Sequence, residues 1–142
     1  MATRLIIALL IGLSFASCDK LKQTEKRIEG NWTIVSYNYV NFQGFTTEFE
    51  GSGEFNISDI SSAIGNYSIN LAYQNAITSG TKIESGMIKI NDNAENYTLE
   101  RVNSDGSITS VDSGTIKFLN KTQMETFFND ELGSHHFVLS KD

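Results

Sequence analysis

An all-β fold, an antiparallel up-and-down barrel of about eight strands, is what this sequence predicts. From Gly30 onward apolar and polar residues alternate with a period of two, which puts successive side chains on opposite faces of half-buried strands. These runs are short, and clusters of Gly, Asn, Asp and Ser separate them at the spacing of a sandwich or barrel. With 9 Phe, 5 Tyr, 11 Gly and no proline, the composition serves strands and turns better than helices.

The first strand is Gly30 to Val40, with Trp32 and Ile34 on one face and Thr33, Val35, Tyr37 and Tyr39 on the other. Asn41 to Gly44 turns the chain. A second strand runs from about Phe45 to Glu50, Gly51-Ser52-Gly53 marks a bend or bulge, and Glu54 to Ser58 continues extended. Asp59 to Gly65 reads as a short helical turn capped by Asp59. Asn66 to Gln74 alternates strictly, with Tyr67, Ile69, Leu71 and Tyr73 on one side. Thr81 to Ile90 follows, interrupted at Gly86. Asn96 to Val102 pairs with Ile108 to Leu119 across Asn103-Ser104-Asp105-Gly106, because Asp-Gly supplies the positive φ of tight turns. Gly114 is a candidate bulge, and Ile116 and Phe118 share a face. Met124 to Phe128 and Ser134 to Ser140 make the last hairpin around Asn129 to Gly133.

Turns this short favour neighbours pairing in order, and a meander that closes on itself removes its own edges. A sandwich is the alternative architecture. The inward set is bulky: Trp32, Ile34, Phe55, Ile57, Tyr67, Ile69, Leu71, Ile88, Ile90, Tyr97, Leu99, Ile116, Phe118, Phe128, Phe137 and Leu139. An eight-stranded interior is only wide enough for such side chains or for one small ligand.

The first 17 residues are different in kind. One basic residue, Arg4, precedes the apolar run Leu5 to Leu13, which is too short to span a bilayer but fits a secretory signal. The ending Phe15-Ala16-Ser17-Cys18 resembles the lipobox of bacterial lipoproteins, with Phe15 in place of the usual Leu. That resemblance implies cleavage before Cys18 and acyl chains on it, which give a permanent anchor because several chains exceed the two signals that stable anchoring needs. The expected place is the bacterial cell envelope, with the outer membrane favoured. The domain plan is then a signal peptide at 1–17, a lipidated cysteine and short tether at 18–29, and a barrel at 30–142. The roughly ten residues between Cys18 and Gly30 reach at most about 33–36 Å, so the barrel works close to the membrane.

Loss of the leader takes the net charge from −6 to −7 and leaves 125 residues, enough for one core. An acidic chain without a basic run excludes nucleic acid as a partner and argues against electrostatic membrane binding. Cys18 is the sole cysteine, so with lipid on it the domain stands without disulfides and has no thiol nucleophile.

Gly30-Asn31-Trp32, opening the first strand after a short polar segment, is similar to the Gly-x-Trp of lipocalins. Small bacterial lipocalin-like lipoproteins share this layout across residues 18–142. The resemblance implies that Trp32 packs across the closed end of the barrel as a structural residue, beside Gly30. It also implies a late basic residue stacked on that Trp, and Lys141 is the only late one. The Arg-x-Tyr clamp of the related fatty-acid-binding barrels is absent from His135-His136-Phe137-Val138-Leu139-Ser140, so fatty-acid binding is not implied.

Signatures of catalysis are missing from the sequence, which lacks Gly-x-Ser-x-Gly, His-Glu-x-x-His and a phosphate loop. No enzyme activity, metal or cofactor is expected. His135 and His136 are adjacent on a strand and point to opposite faces, as surface or rim residues. The oxygen-rich turn Asn91 to Glu95 lacks a full calcium ligand series and reads as a hairpin. Tyr37, Tyr39, Phe42 and Phe45 are the candidate contacts with a ligand or partner. The expected function is binding of a small apolar ligand in or at the barrel mouth. The alternative is an envelope accessory or inhibitor protein that works through protein contacts around a packed core.

Overall fold

A computed structural model describes residues 20–103 and 105–141. Cys18 and the leader lie outside the described residues. A helix, α1, spans residues 20–28. Eight strands follow: β1 (Gly30–Asn41), β2 (Thr46–Ser61), β3 (Ile64–Gln74), β4 (Ser79–Ile90), β5 (Asn96–Val102), β6 (Ile108–Leu119), β7 (Gln123–Asn129) and β8 (Gly133–Ser140). Each pairs antiparallel with the next, and β8 pairs back onto β1, so the sheet is a closed barrel and not a sandwich. The closed sheet and its core lie within residues 20–141 and form a self-contained folding unit.

Period-two alternation decides which side chains enter the barrel, and bulges decide where that alternation slips. In β1 the register shifts between Ile34 and Ser36, which leaves Val35 exposed. Tyr37 is therefore buried on the face of Trp32 and Ile34, not on the opposite one, and Tyr39 follows it to pack against the core. The reverse happens in β6, where a shift between Ile116 and Phe118 throws Phe118 outward, so it is not a core residue. The strand slips there and, against β5, at Thr109, but not at Gly114. Gly114 serves packing instead, because a Cβ there would stand 2.1 Å from the buried Tyr97 ring. The other fifteen residues expected inside are all in the core, joined by Ile28, Tyr37 and Met124.

One local expectation fails for a backbone reason. Asp59 to Gly65 makes no helical turn. Asp59 sits in β2 at a register irregularity with φ 56°, and Ser62 and Ala63 turn the chain with φ 52° and 67°, the paired positive values of a tight hairpin. Gly51-Ser52-Gly53 is the expected bulge: the β1–β2 register shifts between Phe49 and Glu54, and the strand continues through it. Gly53 has φ +141°, and a Cβ on it would meet the Asn70 carbonyl at 1.9 Å, so glycine lets one long strand coil around the barrel.

One end of the barrel is sealed. The segment expected as a tether is α1, laid across this floor with Thr24 and Ile28 buried against it. Glu25 accepts the Ala63 amide at 2.6 Å, and the Trp32 indole donates to the Ile28 carbonyl at 2.7 Å. Lys141 donates to the Arg27 and Glu29 carbonyls at 2.6 and 2.9 Å, where a cation complements the helix C-terminus. Its ammonium stands 4.3 Å from the centre of the Trp32 ring, a cation over an aromatic face.

Candidate functional site

The opposite end carries the turns 42–45, 75–78, 103–107 and 130–132 and has no such helix among the described residues. Here the interior changes character. Lys82 and Glu84 share their strand parity with Ile88 and Ile90, so the alternation that builds the core also turns them inward. Arg101 follows Tyr97 and Leu99, Asp112 precedes Ile116, and His135 precedes Phe137, each by even spacing. Asp130 comes from the turn after β7, which its other carboxylate oxygen holds by accepting the Leu132 and Gly133 amides at 2.8 and 3.2 Å.

These groups form one chain of contacts inside the mouth. Tyr37 Oη lies 2.8 Å from His135 Nδ1, and His135 Nε2 lies 2.8 Å from Asp130 Oδ2. Lys82 Nζ stands 3.1 Å from both Asp130 and Glu84. Arg101 is 3.6 Å from Glu84 through Nε and 2.9 Å from Asp112 through Nη2. Glu84 and Asp112 side chains are only 6% and 3% exposed, so these charges are withdrawn from water. Aromatic rings wall the site: Tyr37 packs on Phe49, Tyr73, His135 and Phe137 with ring centres 5.0–5.9 Å apart.

The protonation pattern follows from burial and partners. Burial pushes His135 below its ordinary value; Lys82 adds to that, while Asp130 opposes it. A neutral ring gives its one N–H to the carboxylate, so Nε2 donates to Asp130 and Nδ1 accepts the Tyr37 hydroxyl. Burial also raises the Tyr37 hydroxyl far above the tyrosine range. The Tyr37–His135–Asp130 relay therefore holds a neutral phenol. For Asp130 burial acts upward, but the Leu132 amide, His135 and Lys82 outweigh it and keep the carboxyl below its ordinary range.

Both shifts make acid destabilising. The His135 contribution is complete above its ordinary value of 6.5 and is lost as pH falls from there toward the lowered value. The Asp130 contribution is lost separately, below its ordinary 3.8. Thermal unfolding followed across pH is expected to show the midpoint falling in these two stages; His135→Gln should abolish the upper one and, by removing one of the groups that hold Asp130 low, shrink the lower. An unchanged upper stage in that variant would assign it elsewhere.

Not every group in the mouth is paired. Tyr67 Oη, Glu84 Oε1, Arg101 Nε and Ser110 Oγ are buried without a hydrogen-bond partner among the described residues. Together they offer acceptors, a charged donor and hydroxyls of either role.

The structure separates the four aromatic residues expected to act together. Tyr37 and Tyr39 face inward, and the Tyr39 hydroxyl bonds the Leu132 carbonyl. Phe42 and Phe45 stand on the rim, 76% and 69% exposed, with Ile77 and Leu132 exposed on neighbouring turns. The histidines do take opposite faces, but His135 is an interior residue, while His136 lies outside on Glu125 and Phe127. Sequence reasoning missed Lys82, Glu84, Arg101, Asp112 and Asp130. Strand parity would have found the first four, and the turn residue Asp130 carries no such signal.

No protein-family model matches this chain, and no curated protein matches it. Among solved structures it is similar to a de novo designed fluorescence-activating β-barrel, at 16% identity and a TM-score of 0.48, over 82% of this chain and 95% of that one.

Proposed function

We propose that the chain is a lipid-anchored, lipocalin-like lipoprotein of the bacterial cell envelope that binds a small polar ligand in the barrel mouth. The observation that carries the binding is the set of buried polar atoms at Tyr67, Glu84, Arg101 and Ser110 that lack partners. Buried polar groups are normally satisfied, and each one left without a partner costs about 1–3 kcal/mol. A polar guest supplies the missing bonds. The apolar ligand expected from the sequence is not carried forward, because it would strip water from charged groups without replacing their bonds. The lipoprotein leader and Cys18 support the anchoring.

Native mass spectrometry of the domain recovered from its own envelope is expected to show one small molecule per chain. Glu84→Gln with Ser110→Ala should lose it. A ligand-free domain that satisfies these atoms with water alone sinks the reading.

A second reading rests on the rim. Phe42, Phe45, Ile77 and Leu132 expose apolar side chains around the mouth, as a protein contact does. An envelope protein captured by the domain, and lost on Phe42→Ser with Phe45→Ser, favours that reading.

A further inference from the structure

The acidic balance of the whole chain argues against electrostatic membrane binding, but the charge is not spread evenly: the barrel is electrically polarised along its axis. Of the lysines and arginines among the described residues, Lys82 and Arg101 face the mouth interior. All the others sit at the floor: on α1, at the floor ends of β4 and β6, in the β6–β7 turn and at Lys141. The mouth end carries exposed Glu48, Glu50, Asp105 and Glu131 and no exposed cation among the described residues.

We propose that the floor is a docking face for an anionic phospholipid surface, with α1 and the β6–β7 turn against the headgroups and the mouth pointing away. Lys22, Lys26, Arg27 and Lys121 are exposed, and none is within ion-pair distance of a carboxylate among the described residues. Lys26, Arg27 and Lys121 line a groove of about 350 Å³ with Gln23 and Lys141. Phe118, 49% exposed, lies in the adjoining groove with Arg27 and Lys117. An aromatic ring among cations suits the boundary between headgroups and acyl chains. Of the acidic residues at this end, Glu25 is bound to the Ala63 amide and Glu95 to Lys20, while Glu29, Asp59 and Asp92 stay exposed.

The anchor expected on Cys18 points to the same occupant. Residue 20 lies at the floor, and Cys18 stands two residues before it, about 7 Å at full extension. Lipid on Cys18 would enter the membrane beside this patch, yet the docking does not depend on that lipid. A nucleic acid offers phosphates as well, but the acidic remainder of the domain opposes a long polyanion and Phe118 has no role there.

The consequence is directional. The mouth stands a barrel length from the bilayer, roughly 30 Å for strands of this size tilted to the axis. Its ligand then arrives from the aqueous side, not from the membrane.

The test uses residues 18–142 with Cys18→Ser, which retains the whole folding unit and has no lipid. Sedimentation with phosphatidylcholine vesicles is compared with sedimentation after phosphatidylglycerol is added to them. Binding is expected only with phosphatidylglycerol, and added salt should release it. Lys26→Gln, Arg27→Gln and Lys121→Gln should each weaken partition about fivefold. Glu48→Gln with Glu50→Gln at the mouth should change it little. Trp32 fluorescence reports that the floor of each variant is intact. Equal binding to both vesicles, no binding to either, or tighter binding to duplex DNA than to anionic vesicles overturns the proposal.

Discussion

Trp32→Ala is expected to destabilise the barrel by about 3–5 kcal/mol, read as a shift of the urea midpoint. The side chain is fully buried, and its loss opens the largest cavity that a single truncation can make in this core. The damage does not stop at volume. The indole N–H satisfies the Ile28 carbonyl at the end of α1, and the ring is the platform under Lys141, which satisfies two more carbonyls there. Removing Trp32 therefore unseats the helix that seals the floor. Trp32→Phe separates the two effects. It keeps most of the apolar volume but leaves the Ile28 carbonyl without its donor, a cost of about 1–3 kcal/mol. A near-neutral Trp32→Ala would reject the floor role for this residue.

Trp32 also shows what the sequence makes legible. Its strand alternates from Gly30, it is the only tryptophan, and it follows the polar segment that becomes α1. Strand count and pairing order follow from the short turns, and nearly all of the core follows from parity, because a one-residue slip would turn a strand inside out. What parity hides is the slip itself. The bulges at Val35 and Lys117 leave no mark in composition, and they move Tyr37 into the barrel and Phe118 out of it. The mouth network was hidden differently. Lys82, Glu84 and Arg101 follow the alternation faithfully, but charge normally signals solvent. Their partners come from strands and a turn far apart in the chain, so only barrel closure shows that the charges meet. The basic floor is the same lesson on the outside: it has no run in the sequence, because α1, the β6–β7 turn and Lys141 become neighbours only in space.

Arg101→Leu is the second large effect expected, a loss of about 2–4 kcal/mol near neutral pH. The guanidinium lies between Glu84 and Asp112, and truncation leaves Asp112 buried without its cation and Glu84 with Lys82 alone. Breaking a fully buried pair costs about 3–5 kcal/mol, and the 32% exposure of the Arg101 side chain reduces that figure. A second substitution identifies the cause. With Asp112→Asn added, no carboxylate is left at that position without its cation, and much of the penalty should disappear. A penalty that Asp112→Asn leaves unchanged would mean that packing, not charge, was lost. The comparison that matters most replaces Arg101, Glu84 and Asp112 together by leucine. Apolar substitution of a buried ion triad is commonly neutral or stabilising by about 1–4 kcal/mol, and Lys82 keeps Asp130 as its partner. If the triple variant is as stable as the parent, the charges do not hold the barrel together. Their role is then to meet a ligand, and the variant should fold normally while losing the small molecule bound in the mouth.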